Sequence, residues 1–177
     1  MELDELHIMA DKDDADAQFE LGKRYARGEN CNVVVAAKCY QKAAEHGHAD
    51  AQYELAWMYF NCNGVPCDEI QAGAWAKKAA DQHNARALYL LGYCCVHGRG
   101  GMHEDETQAV EWWRQAANLG YVHAQYVLGD AYFNGRGIPQ SYEQALSWFA
   151  KAANQGDVDA KDRLSLMHNL DMENYIP

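Results

Sequence analysis

The chain has 177 residues, 49% of them hydrophobic and 23% charged, which is ordinary globular composition and length enough for one well-packed domain. Twenty-six acidic against 15 basic residues give a formal charge of −11, which argues against nucleic acid as the main ligand, because phosphate neutralisation needs a basic face. No apolar run approaches bilayer length, and the acidic start Met1-Glu2-Leu3-Asp4-Glu5 lacks the order of a signal peptide, so no membrane contact and a cytoplasmic location are expected. The charge fits either general solubility or a basic protein partner steered by the acidic field.

One unit recurs along the chain. Copies begin at Ala17, Ala51, Ala87 and Ala124, with a partial copy at Ala160, in steps of 34, 36, 37 and 36 residues. An Ala-Ala pair falls at 43–44, 79–80, 116–117 and 152–153, always 8 residues before the next leading alanine. All length variation therefore lies inside the unit. A constant outer junction and a variable inner loop predict an α-hairpin repeat and an all-α fold.

Residues 1–12 align with the second half of a unit and are read as a short helix covering the first hairpin, since end units of a stack lack one neighbour. Four repeats are expected at 14–47, 48–83, 84–120 and 121–156, then a partial repeat at 157–169 and a frayed tail over 170–177. The first helix of each unit starts after Asp14, His48, Asn84, Tyr121 or Asp157, three of which are good N-caps. Alanine, leucine and a large side chain then recur at offsets 0, 4 and 8: Ala17/Leu21/Tyr25, Ala51/Leu55/Tyr59, Ala87/Leu91/Cys95 and Ala124/Leu128/Tyr132. That spacing makes one buried stripe. Small residues at offset 5 (Gly22, Ala56, Gly92, Gly129) imply a partner helix approaching closely there.

Glycines turn the chain in the inner loops, such as Gly98-Arg99-Gly100-Gly101 and Gly135-Arg136-Gly137. A phosphate loop is discounted, because no strand precedes and no Gly-Lys-Ser/Thr follows. The second helix starts at Asn32, Asp68, Asp105 or Ser141, and Gln71, Gln108 and Gln144 predict capping boxes in three of the units. A bulky position follows (Cys39, Trp75, Trp112, Trp148), then the Ala-Ala pair, then a left-handed glycine at 47, 120 and 156. His83 replaces that glycine in the second unit, where His83 or Asn84 is expected to absorb mild strain. In the last partial unit Asp162 stands where others carry Phe19, Tyr53, Tyr89 or Tyr126, as an exposed final helix requires.

These residues resemble the Sel-one-like repeat family, relatives of the tetratricopeptide repeats. The matching features are Ala-Gln-Tyr-x-Leu-Gly-x-x-Tyr, the Gly-x-Gly loop, Ala-x-x-Trp-Phe-x-Lys-Ala-Ala and the closing glycine. The fourth unit (124–156) fits nearly throughout, and the resemblance covers about 13–168. The first unit departs most, lacking the second loop glycine and the tryptophan. The resemblance implies a right-handed α/α superhelix of about four helix-turn-helix repeats with partial capping helices. It also implies a scaffold or adaptor for other proteins, with no chemistry of its own and no cofactor.

Six cysteines (31, 39, 62, 67, 94, 95) and eight histidines raise the question of a metal or covalent site. Some secreted bacterial members of the resembled family bridge their helices with cysteines around the Ala-Ala pair; here those positions are alanines. Cys39 and Cys95 replace a Trp and a Tyr on core stripes and are read as small buried thiols. Reduced cysteines are expected, with Cys62 and Cys67, which share one loop, as the candidate exception. No accepted zinc spacing and no nucleophile–base motif is present, so neither a metal site nor catalytic residues are assigned.

Positions that vary along one face are free for recognition. Offsets 3, 6 and 10 of the first helices lie at about 300°, 240° and 280° and form one stripe. It reads Glu20/Lys23/Arg27, Glu54/Trp57/Asn61, Leu90/Tyr93/His97 and Val127/Asp130/Asn134. The last nine residues are the candidate partner site on a concave surface, since Trp57, Leu90, Tyr93 and Val127 replace charge with side chains a solvated face does not need. Trp57 and Tyr93 are expected to be exposed; for Leu90 and Val127, partner contact and packing between units both stand. The function expected is a non-enzymatic interaction module in a bacterial cytoplasm, monomeric or weakly dimeric. One alternative is an immunity protein occluding a basic secreted toxin. A weaker one is a β-lactamase-like hydrolase.

Overall fold

The computed structural model describes residues 3–27 and 31–174, with side chains over 4–27 and 31–167. Among the described residues there are ten helices and no strand. They are α1 (Leu3–Ala10), α2 (Ala15–Arg27), α3 (Val33–Glu45), α4 (Ala49–Phe60), α5 (Glu69–Asp81), α6 (Ala85–His97), α7 (Glu106–Asn118), α8 (Val122–Asn134), α9 (Tyr142–Asn154) and α10 (Val158–Asn174). Each helix packs chiefly on its predecessor and successor, most extensively within the hairpins α2/α3, α4/α5, α6/α7 and α8/α9. The chain is a solenoid of four hairpins, with α1 before and α10 after them.

The buried stripe drives this arrangement. Ala17, Ala51, Ala87 and Ala124 are buried together with Leu21, Leu55, Leu91 and Leu128, and so are both alanines of the first three Ala-Ala pairs. Burying each leucine contributes about 1.5–3 kcal/mol, while the alanines let backbones approach without losing side-chain entropy. The small residue at offset 5 has a specific partner in each hairpin. A Cβ on Gly22 would lie 2.6 Å from the Tyr40 ring, one on Gly129 2.8 Å from Phe149, and one on Gly92 inside contact distance of Trp113 Nε1. In the second unit the corresponding residue to these rings is Ala76, and there offset 5 is Ala56; both are fully buried in one cluster. Small and large side chains are thus matched across each hairpin.

Buried glutamines at offset 1 tie the units together. Gln18, Gln52 and Gln125 donate from Nε2 to the carbonyls of Ala10, Ala44 and Ala117 at the end of the preceding helix, at 3.0, 3.1 and 3.2 Å. Gln82 and Gln155, at the end of the second helix of the same unit, donate to Gln52 and Gln125, each at 2.9 Å, and also to the carbonyls of Gly47 and Gly120 in the preceding unit. Such satisfied buried polar groups fix the register between hairpins. In the third unit both positions carry leucine, Leu88 and Leu119, so the polar pair is exchanged as a pair.

The caps follow the sequence with one correction. The side chains of Asn32, Asp68, Asp105 and Ser141 accept the expected N3 amides, and His48 caps through Nδ1 alongside Asp14, Asn84 and Asp157. The reciprocal half of the capping box expected of Gln71, Gln108 and Gln144 is not what holds the cap amide. In all four units that N–H donates instead to the carbonyl at offset 8 of the first helix: Tyr25, Tyr59, Cys95 or Tyr132. This backbone bond closes the inner loop and leaves the glutamine side chain without an acceptor role to fill. Residues 28–30 of the first inner loop lie outside the described residues.

At the outer junctions Gly47, Gly120 and Gly156 take φ of 90°, 87° and 98°. His83 takes φ 59° in the same place while Asn84 stays at −68°, so His83 carries the strain. A left-handed conformation costs an L-residue about 1–2 kcal/mol, partly offset in a glycine variant by its greater unfolded entropy. His83→Gly is therefore expected to stabilise the chain by about 1 kcal/mol in urea unfolding; an unchanged or lowered midpoint would show that the His83 side chain has a compensating contact.

The partial repeat expected at 157–169, followed by a frayed tail, is one helix that continues to Asn174, because no glycine or proline interrupts it before Pro177. Residues 175–177 of that tail lie outside the described residues. Asp162 is exposed, as a last helix requires. Cys62 and Cys67, the candidate exception to reduced thiols, are joined by a disulfide across the α4–α5 loop, their Cα atoms 4.4 Å apart. Cys62 stands where Gly98 and Gly135 stand in other loops and shares their left-handed φ. Cys31, Cys39, Cys94 and Cys95 are free thiols. Cys39 is half-buried rather than buried, and burial pushes the Cys94 thiol up to about 12.

Candidate functional site

Because second helices intervene between successive first helices, α4 and α6 leave a groove between them. Tyr53, Trp57 and Phe60 of α4 form one wall, and Arg86, Tyr89, Leu90 and Tyr93 of α6 form the other. Asn61 and Arg99 close the inner-loop end, and Tyr121, just before α8, closes the opposite one. The cavity is about 410 Å³, at the small end of the range of about 300–1,000 Å³ usual for ligand pockets. Leu90, 7% exposed, is its floor; Trp57 and Tyr93, 47% and 41% exposed, stand at its rim.

Arg86 organises the groove. Its guanidinium donates to Glu54 at 2.8 Å and to Asp50 at 2.9 Å, and lies 4.3 Å from the centre of the Tyr53 ring. Asn84 donates to the same Asp50 oxygen at 2.8 Å. Burial pushes the Asp50 carboxyl up, but the hydrogen bonds from Arg86 and Asn84 outweigh it and hold the group below its ordinary value. A depressed carboxylate contributes stability above its unfolded pKa of about 3.9 and loses it as pH falls through the folded value. Wild type should therefore exceed Asp50→Asn in urea midpoint at pH 6, and the gap should shrink below about pH 4. A gap constant down to pH 2 would mean that the carboxylate's charge is irrelevant. Arg99 pairs with the exposed Glu69 at 2.6 Å and lies 5.4 Å from the Phe60 ring centre. Burial raises the Tyr89 and Tyr121 phenols and pushes Tyr53 up to about 12, so all three stay neutral at physiological pH.

The structure gathers part of the sequence-derived stripe and disperses the rest. Trp57, Asn61, Leu90 and Tyr93 share the groove, Glu54 holds its Arg86, and His97 packs on Tyr93 with ring centroids 4.4 Å apart. Trp57 and Tyr93 are exposed as expected, whereas Leu90 resolves as a packed residue and Val127 as half-buried. Asp130 is buried against Arg136 and Arg163, and the Asn134 amide donates to its carbonyl at 2.9 Å, so this end of the stripe is engaged within the fold. Glu20 and Lys23 pair with each other at 2.6 Å.

Sequence reasoning missed Tyr53, Phe60, Arg86, Tyr89, Arg99 and Tyr121. Tyr53 and Tyr89 share offset 2 with Phe19 and Tyr126, which marks them as fold positions; they serve both ends. Tyr121 and Arg86 did carry a signal. Tyr121 occupies a cap position yet makes no cap bond, and Arg86 stands where Asp16, Asp50 and Asp159 stand in other units. No described helix is long and apolar enough to cross a membrane, and among the described residues no three His, Cys, Asp or Glu side chains are placed to hold a metal ion.

The Sel1 repeat family model matches residues 15–48, 49–84, 85–121 and 122–157. The chain belongs to the Sel1 repeat family. Among solved Sel1-like structures, c5321, a protective antigen of uropathogenic Escherichia coli, is similar with a TM-score of 0.88 and 37% identity, over 94% of this chain and 36% of that one. A Sel1 repeat protein from Oxalobacter formigenes is similar with a TM-score of 0.83 and 32% identity, over 90% of this chain and 64% of that one. The chitin synthase regulator SKT5 of Malassezia restricta is 30% identical over 158 residues, covering 86% of this chain. This Sel1 repeat chain spans only 8% of that regulator's length.

Proposed function

We propose that this Sel1 repeat chain is a non-enzymatic interaction scaffold that holds a segment of a partner protein in the aromatic groove between α4 and α6, on a concave face. The observation that carries this reading is the exposure of Trp57 and Tyr93 at the rim of a cavity floored by Leu90, an aromatic pair that the hairpins do not need for packing. The remaining candidates Val127, Asp130 and Asn134 would meet a partner only as peripheral contacts. The four units, α1 and α10 act in this reading as one scaffold. The fungal relative's name, a regulator of an enzyme, is in keeping with action through a bound protein.

Hydrolysis finds no support in the groove, since none of its lining residues is a serine, cysteine, histidine or carboxylate. Occlusion of a toxin would use the same wall, and no separate observation favours it. The reading is tested by selecting a displayed library of random 12-residue peptides on the immobilised protein. Sequences enriched on wild type and lost on Trp57→Ala/Tyr93→Ala support the groove. Identical enrichment on both proteins would place recognition elsewhere.

A further inference from the structure

The groove's own charges are already satisfied. Arg86 is held by two carboxylates and lies over the Tyr53 ring, and Arg99 is held by Glu69, so neither wall offers an unpaired charge to an occupant. The volume and the neutral phenols suit one or two bulky uncharged side chains. The end of the groove marked by Phe60, Asn61 and Arg99 opens onto the inner loops. There the chain exposes Asp68, Glu69, Glu104 and Asp105 against the cation Arg99, while Glu106 lies farther along, lining a separate cleft with Arg136. Asp68 and Asp105 cap α5 and α7, and each helix start offsets about half a charge, which leaves the edge negative. The net charge of −11 adds a field of the same sign.

We propose that the partner segment is basic: a bulky apolar or aromatic side chain seats between Trp57 and Tyr93, and lysines or arginines beside it lie along the acidic loop edge. This rests on the reading of the groove as a protein-recognition site and adds the chemistry of what it recognises. An acidic or neutral segment would fill the groove equally well but would meet the carboxylates of the edge unpaired. The attraction is between exposed charges, so it acts within a Debye length of about 8 Å at physiological salt and weakens as salt is added.

The test uses three fluorescein-labelled 12-residue peptides with a central tryptophan flanked by lysine, glutamine or glutamate, titrated by fluorescence anisotropy onto the full chain. The lysine peptide should bind about tenfold tighter than the glutamine peptide in about 50 mM salt, and the advantage should fall below about twofold in 0.5 M salt. Glu104→Gln, at an exposed position outside α7, should reduce the advantage about twofold while leaving the glutamine peptide's affinity and the thermal midpoint unchanged. Tighter binding of the glutamate peptide, or a lysine preference indifferent to that substitution, would overturn the basic assignment. Equal binding of all three peptides, abolished by Trp57→Ala/Tyr93→Ala, would also overturn it yet leave the groove's recognition role standing. No binding, or binding indifferent to Trp57 and Tyr93, would overturn both.

Discussion

Gly92→Ala is expected to destabilise the chain by about 2 kcal/mol, although alanine is the better helix former by about 1 kcal/mol. The added methyl meets Trp113, whose indole is fixed in place by its Nε1 donating to the Tyr89 carbonyl at 3.3 Å. The ring cannot withdraw without giving up that bond, and overpacking of a close helix contact costs about 1–3 kcal/mol beyond any propensity gain. The second unit supplies the control, because Ala56 is accommodated where the facing residue is Ala76 instead of a ring. Trp113→Ala alone should cost about 3–5 kcal/mol. In the Gly92→Ala background it should cost about 2 kcal/mol less, since the methyl then has room. A urea double-mutant cycle reads this coupling directly. Strict additivity would mean that the glycine is there for some reason other than the approach of the ring.

That contact shows which part of the fold is legible in a sequence. Gly22, Gly92 and Gly129 announced a close approach because a helical glycine is unfavourable without one, and the 34–37-residue steps announced the hairpins. What approached them was not readable until Tyr40, Trp113 and Phe149 were seen across the interface. The capping boxes failed for a similar reason. Gln71 looks like a box residue locally, while the competing acceptor, the Tyr59 carbonyl, comes from another helix. In the candidate site, Trp57 and Tyr93 were legible as exposed aromatics breaking a charged stripe. Tyr53 and Tyr89 were not, because a residue shared by every unit reads as structural even when one unit also uses it. Asp130 differs in the opposite direction: it shares the stripe position of Trp57 and Tyr93, yet Arg136 and Arg163, the latter 33 positions away, pair with it in the fold.

Replacing Trp57 and Tyr93 together should have the largest effect on recognition and a small one on stability. Hot-spot aromatics contribute about 2 kcal/mol or more each to a bound state, so the pair corresponds to a loss of affinity of about a thousandfold. Neither ring is buried in the hairpin interface. Trp57 and Tyr93 lie outside the fully buried clusters that unite α4 to α9, so unfolding stability should fall by no more than about 1 kcal/mol. Leu91, two residues before Tyr93 and fully buried, should behave in reverse, its alanine variant losing about 2–5 kcal/mol of stability.

The most direct measurement is therefore to titrate a groove-selected peptide onto wild type and Trp57→Ala/Tyr93→Ala and to unfold both proteins in urea on the same preparation. The account predicts that binding collapses about a thousandfold while the urea midpoint stays close to that of wild type. Undiminished affinity accompanied by a large loss of stability would contradict it, and would make these two rings part of the packing rather than the wall that meets a partner.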